Sequence, residues 1–318
     1  MKFDDVMQMM GNTPHVLVRS PEAQSANIYV KLEGYNPTGS IKDRACLYMI
    51  RGKIEEGTLQ PGMTLLDASS GNMACSIAFY GKLLGYSALV VANSKLTADK
   101  RKFIEYYGAE LQVIGYFTID GNRYCRERVQ REEPGRFCFL DQLHNWANPQ
   151  AHYETTGPEI LTDFPDVAMV VGSLGSGGAM AGTARFLKEK RPATKVVVVQ
   201  SASGTKLPGT GSFDDGDYIT PFIQQAMDEK FFDHVIKISE PDAVRRTVQL
   251  KEQGIFCGLQ TGGVLHAAAM PMKGKHHRRR FLARRRRDKD QRLAFRAIDG
   301  PRHSIGSHLD QQRCPNDQ

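Results

Sequence analysis

The chain has 318 residues, 41% hydrophobic and 24% charged, which gives room for two domains with full cores and excludes wholesale disorder. No apolar run approaches the ~20 residues of a membrane span, and the opening Met1-Lys2-Phe3-Asp4-Asp5 is unlike a secretory leader, so the expected location is cytoplasmic. The net charge of +7 is uneven: residues 271–318 hold 14 of the 42 Lys and Arg and five Asp, which leaves the first 270 at −2 and with no reason to bind nucleic acid.

Strand-like and helix-like segments alternate along the chain. A strand over 27–33 leads through Asn36-Pro37-Thr38-Gly39-Ser40-Ile41-Lys42-Asp43-Arg44 into a helix over 45–54. Strands follow at 63–68, 87–92 and 110–114, with helices at 73–84, 97–107 and about 122–131. A second set has a helix at 153–162, a strand at 167–171, a helix to about 190 and a strand at 195–200. After a long Gly-, Ser- and Asp-rich loop at 201–217 come a short strand at 233–238, a helix at 241–254 and a last helix from 264. The alternation predicts an α/β fold with two doubly wound, mostly parallel sheets. From 276 the arginine runs predict an atypical basic tail that is solvated rather than folded. Six cysteines without a C-x-x-C pair support neither a zinc site nor a disulfide framework, and no metal is expected.

Three loops carry the chemistry. Ser40 and Asp43 have the spacing of a capping box, which puts Lys42 in the first helical turn, where the field of unpaired N–H groups lowers the pKa of an ammonium. Such a lysine is suited to a Schiff base; the plainer reading is a surface lysine. Gly172-Ser173-Leu174-Gly175-Ser176-Gly177-Gly178-Ala179 lies between strand and helix, where bare N–H groups suit a phosphate. It is neither a Walker motif nor G-x-G-x-x-G, since Met180 stands at the third glycine position. Ser69-Ser70-Gly71-Asn72 is a second strand-to-helix loop that suits a carboxylate, or simple N-capping. A reactive amine, a phosphate cradle and a carboxylate loop fit pyridoxal phosphate with an amino-acid substrate.

The Lys42 stretch also resembles the cofactor-lysine motif of the cysteine synthase family, among the fold type II, tryptophan-synthase-β-like enzymes. Gly11-Asn12-Thr13-Pro14, Ser69-Ser70-Gly71-Asn72, Asn148-Pro149, Thr155-Thr156-Gly157-Pro158-Glu159 and the loop from Gly175 to Ala179 match in the same order, over about 5–270. The O-acetylserine sulfhydrylase branch that includes the B-type cysteine synthase fits best. The resemblance implies that Lys42 holds pyridoxal 5'-phosphate as an aldimine and moves the α-proton. It assigns Asn72 to the phenolic oxygen and Gly175, Ser176, Gly177, Gly178 and Ala179 to the phosphate. Ser69, Ser70, Asn72, Met73 and Gln142 would bind the substrate carboxylate. The implied reaction is β-replacement on O-acetylserine by sulfide, through an aminoacrylate, to give cysteine. It also implies a homodimer, a smaller mobile domain over 45–145, and a larger cofactor domain over 1–44 plus 146–272.

The sequence departs from the pattern. Met73 and Ala74 replace Thr-Gly, and Gln260 replaces a serine. The loop over 203–218 has no arginine, with Lys206 its only cation, which favours acetylserine over phosphoserine. Residues 273–318 do not read as the family's final strand, so an incomplete sheet without its ring-nitrogen partner is expected. Phosphoserine, cystathionine or diaminopropionate chemistry, or an impaired paralogue that serves as a binding protein, are the alternatives.

Overall fold

Leu65 and Leu66, consecutive and both fully buried, show at once how the first sheet is built. A strand sends successive side chains to opposite faces, so both faces must be covered. The computed structural model describes residues 2–20, 27–131 and 135–270. The expected basic tail, with its missing strand, lies outside the described residues.

Strands β1 (His15–Val18) and β2 (Ile28–Lys31) form an antiparallel pair. Helix α1 (Lys42–Glu55) then leads to β3 (Thr64–Ala68), α2 (Asn72–Leu83), β4 (Ser87–Ala92), α3 (Ala98–Tyr106), β5 (Glu110–Val113), α4 (Thr118–Arg131) and β6 (Phe137–Phe139). These strands pair in the order β5-β4-β3-β6, all parallel. Leu65, Ala88 and Val90 pack with α1 and α2 on one face, through Leu47, Ile50, Ile77 and Tyr80. Leu66, Ala68, Leu89 and Val91 pack with Cys125 of α4 on the other.

A short helix α5 (Ala147–Ala151), a π-helical turn (His152–Thr156) and α6 (Gly157–Asp163) join this sheet to a second. There β7 (Met169–Ser173), β8 (Lys195–Ser201) and β9 (His234–Ile238) run parallel in that order. Helices α7 (Gly178–Lys190) and α8 (Pro221–Asp228) cover the face of Val196 and Val198. The face of Val197 and Val199 packs Ala243 of α9 (Glu240–Lys251) and Ala267 of α10 (Leu259–Ala269). The α/β class and parallel sheets are as expected. The four cysteines 46, 75, 125 and 138 are free and buried.

Three boundaries differ from expectation. Helix α10 starts at Leu259, not 264, because Gly262 has no side chain to collide with Ala243 O and Thr247 Oγ1 of α9. Helix α4 starts at Thr118 rather than 122, with the Asp120 carboxylate accepting the N–H groups of Tyr116 (3.2 Å) and Phe117 (2.9 Å) ahead of it. Strand β7 runs two residues later than expected, so Gly172 and Ser173 pair with Val198 and Val199. Among the described residues no helix is long and apolar enough to cross a membrane.

Candidate active site

Lys42 opens α1 with its N–H donating to Ser40 Oγ (3.3 Å), but Asp43 does not complete the capping box. The N-cap is Ile41, without a side-chain bond. Asp43 turns instead to Thr38, accepting its N–H (2.7 Å) and hydroxyl (2.5 Å), and to Ser76 Oγ (2.7 Å). Ser76 Oγ is also 3.1 Å from the carbonyl of Asn72. These bonds tie the first turns of α1 and α2 together, which brings Lys42 towards the loop at Ser69 to Asn72. On the next turn position, fully buried Arg44 grips Glu33 through Nε (2.8 Å) and Nη2 (2.9 Å). It grips Glu159 through Nη1 (2.6 Å) and Nη2 (2.8 Å). Planar, two-sided pairing of this kind fixes orientation as well as charge. The Gly11-Asn12-Thr13 turn joins the same cluster, since Gly11 donates to Asn36 Oδ1 and Asn12 to Glu159, both at 2.9 Å.

Lys42 as a whole is half-buried. Burial lowers its pKa from 10.5 to about 8. Desolvation is thus the cause, where the sequence pointed to the helix field. His152 is buried, 2.9 Å through Nδ1 from Thr156 Oγ1, and is held well below its ordinary pKa by burial and then by the charges of Arg44 and Lys42. It is a neutral neighbour, not a competing cation.

Ser69 to Asn72 follows β3, and Asp141-Gln142 follows β6. These two strands are neighbours, although β4 and β5 come between them in sequence. The chain winds outward from β3 to β5 and returns to the other side of β3 at β6. The carboxyl ends of strands at such a reversal leave a crevice for ligands. Gln142 spans it, with Nε2 donating to Ala68 O (2.6 Å) and its N–H to Asp67 Oδ2 (3.2 Å). Burial raises the Asp67 carboxyl to about 8. Ser69 Oγ accepts from Gly71 N–H (3.1 Å), and Ser70 Oγ from Asn93 N–H (2.6 Å), so both hydroxyls already shape the loop. Asn72 is exposed. Met73 points into the core and is 1% accessible, so only its backbone N–H is available to a ligand.

Gly175, Ser176, Gly177, Gly178 and Ala179 stand at the start of α7. Among the described residues, none of their five N–H groups donates to a protein acceptor. A row of unclaimed donors at a helix start is a ready anion site. Each glycine is also required by space: Gly177 has φ +85° with Ile223 where its Cβ would lie, and Gly178 has Asn148 there. A Cβ on Gly175 would come within 2.6 Å of Gly209 O. Asn148 connects this loop to the previous one, donating through Nδ2 to Gln142 O (2.9 Å) and reaching Ser176 Oγ (3.4 Å). Its Oδ1 is buried without a partner.

All of the expected residues therefore lie on four segments, at the start of α1, after β3, after β6 and at the start of α7. Sequence reasoning missed one contributor. Lys100 on α3 has its ammonium 3.9 Å from the Cβ position of Gly71, and no ion pair among the described residues, so it brings positive charge to the Ser69 loop. Gln260 donates to Ser173 Oγ and to Gly209 O (2.9 Å), closing the space between β7 and the loop after β8. Lys206 lies over the Tyr116 ring at 4.9 Å, with Lys95 over the same ring at 3.9 Å.

The sequence model of the family described as pyridoxal-phosphate dependent enzyme matches residues 6–283. The cysteine synthase B of Pseudomonas aeruginosa is 35% identical over 272 residues, 84% of this chain and 88% of that protein. The crystal structure of O-ureido-L-serine synthase superposes with a TM-score of 0.77 at 27% identity, covering 85% of this chain and 86% of that one. O-acetylserine sulfhydrylase isoform 3 of Entamoeba histolytica gives 0.76 at 25% identity, covering 85% and 83%. The cofactor of this family is pyridoxal phosphate. The residues here fit it: five open donors suit its phosphate, and a desolvated primary amine suits its aldehyde.

Proposed function

Because the chain belongs to the pyridoxal-phosphate dependent enzymes, we propose that it performs β-replacement on an activated serine, O-acetylserine by preference, with sulfide entering and cysteine leaving. Bound at the site, the cofactor supplies an electron sink for negative charge at the α-carbon. Lys42 holds it and moves the α-proton, since an amine near pKa 8 can give and take a proton near neutral pH. The N–H groups of Gly175 to Ala179 hold the phosphate, and Asn72 faces the phenolic oxygen. Ser69, Ser70, Asn72, the N–H of Met73 and Gln142 hold the substrate carboxylate, with Lys100 adding charge. The leaving group is acetate rather than phosphate because the only cation of the 203–218 loop, Lys206, is engaged with Tyr116.

The observation that carries this reading is the depressed Lys42 amine together with the five unclaimed donors at Gly175 to Ala179. The cofactor-loaded protein, given O-acetylserine and sulfide, should release acetate and cysteine in equal amounts, and turn over phosphoserine more slowly. Acetate without cysteine, with pyruvate and ammonia in its place, would make the reaction a β-elimination rather than a replacement by sulfide. Cofactor binding with no acetate would make the chain a binding protein. Residues 45–145 and 1–44 plus 146–272 act as two domains that close on substrate, and the protein works as a cytoplasmic homodimer; sedimentation tests the last point.

A further inference from the structure

Two residues beyond Gln142, a hydrogen-bonded chain crosses from one half of the protein to the other. Asp141 has φ +53°, rare for a residue with a side chain, and is fixed there on both carboxylate oxygens. Oδ1 accepts from Asn122 Nδ2 (2.9 Å) and Oδ2 from Arg126 Nη2 (2.7 Å). Oδ1 also lies 2.8 Å from His144 Nδ1. A carboxylate only accepts, so Nδ1 carries the proton and Nε2 is the bare nitrogen. Nε2 is 2.8 Å from the hydroxyl of Tyr218, which must then donate. Arg126 is the other charge on the imidazole, with Nη2 3.3 Å from Nδ1, and it is already paired with Asp141.

The segments that carry the pair are bonded to the loops of the candidate site. Thr220, two residues past Tyr218, donates to Ser176 O (2.7 Å) on the glycine loop. On the opposite side, Gln142 holds the end of β3 and Asn148 ties Gln142 back to Ser176. Tyr218 and His144 thus bridge the loop assigned to phosphate and the loop assigned to the substrate carboxylate. The Tyr218 oxygen, having donated its proton, has lone pairs free for a second partner. Burial and then Asp141 keep the phenol protonated. The His144 side chain is 29% accessible, so it can exchange protons with water.

We propose that Tyr218 and His144 form the proton acceptor for the incoming nucleophile, and that this nucleophile arrives carrying an S–H proton; the assignment rests on the β-replacement reading above. The S–H proton passes to the Tyr218 oxygen as the Tyr218 proton passes to His144 Nε2. The sulfur electron pair is thereby freed to bond the β-carbon, whose C–O bond to acetate has already broken to leave a double bond to the α-carbon. That π pair moves to the α-carbon, which takes its proton back from Lys42. The imidazolium is balanced by Asp141 and returns its proton to water. Thiols are mostly protonated at neutral pH while the thiolate is the reactive form, so a base at this point has work to do. Asp141 is a positioning residue that fixes the His144 tautomer.

The test uses cofactor-loaded wild type, Tyr218→Phe and His144→Gln in single turnovers. Acetate release from O-acetylserine is timed first. Consumption of an alkyl thiol is then compared with that of an aromatic thiolate already ionised at pH 7. Both variants should lose about 10²-fold or more with the alkyl thiol, the usual worth of a general base, and little with the thiolate. Raising the pH to ionise the alkyl thiol should restore its rate. Equal losses for both nucleophiles would show a packing role and overturn the proposal, as would no loss with either. Absence of acetate release in wild type would instead overturn the β-replacement reading, and this inference with it.

Discussion

Replacing Lys42 by Met removes the ammonium while filling much of the same volume, so it isolates the electrostatic cost of the buried amine. A fall from 10.5 to about 8, at about 1.4 kcal/mol per pH unit, is about 3 kcal/mol. The sign follows from proton binding. Between pH 8 and 10.5 the unfolded chain holds a proton that the folded protein has released, so wild-type stability climbs with pH across that window. Below pH 8 the full cost is present. The assay is urea unfolding of the cofactor-free proteins at pH 7, 8.5 and 10.5. Lys42→Met should be the more stable at pH 7 by up to about 3 kcal/mol, and the gap should close by pH 10.5. Alkaline effects elsewhere act on both proteins and cancel in the difference. A variant no more stable than wild type at pH 7, or a gap that ignores pH, would refute the reasoning.

Other expectations can be checked with single substitutions. Arg44→Met removes the cation of Glu33 and leaves Glu159 with Lys31 (2.7 Å) alone, and should cost about 3–5 kcal/mol in the same unfolding assay. Burial alone would raise the Glu159 carboxyl, but the Arg44 bonds win and hold it at about 2, so this pair stabilises above pH 4.5 and fails as pH falls towards 2. Glu159→Gln should therefore flatten the acid limb of the stability profile. Gly177→Ala puts a Cβ against Ile223 at positive φ and should cost about 1–3 kcal/mol, with weaker cofactor binding by fluorescence titration. Lys100→Gln should raise KM for the amino-acid substrate severalfold with kcat little changed, because it removes charge from the carboxylate loop without touching Lys42.

The parts of this protein legible in its sequence are those encoded by local pattern. Runs such as Val196 to Val199 announce a strand buried on both faces, and they pack so. The glycine loop before α7 was readable because its residues are contiguous and each glycine answers a local spatial need. The contacts between distant segments were not readable. Nothing near His144 records that Tyr218, 74 positions on, ends at its ring, nor does the region around Lys100 record its approach to Gly71. Asp43 illustrates a competition: its spacing from Ser40 suits a cap, but Thr38 and Ser76 offer three donors to one buried carboxylate, and the tertiary bonds win. Gly262 and Gly263 lower helix propensity enough to suggest a loop, whereas packing on α9 outweighs that penalty.

The central claim is that the Lys42 amine holds the cofactor. Loading the protein with pyridoxal phosphate, reducing it with borohydride and mapping the labelled peptide by mass spectrometry tests it directly. The account predicts a single modified residue, Lys42, and no label in Lys42→Met. Label on Lys100, Lys206 or any other lysine, with Lys42 unmodified, would contradict it.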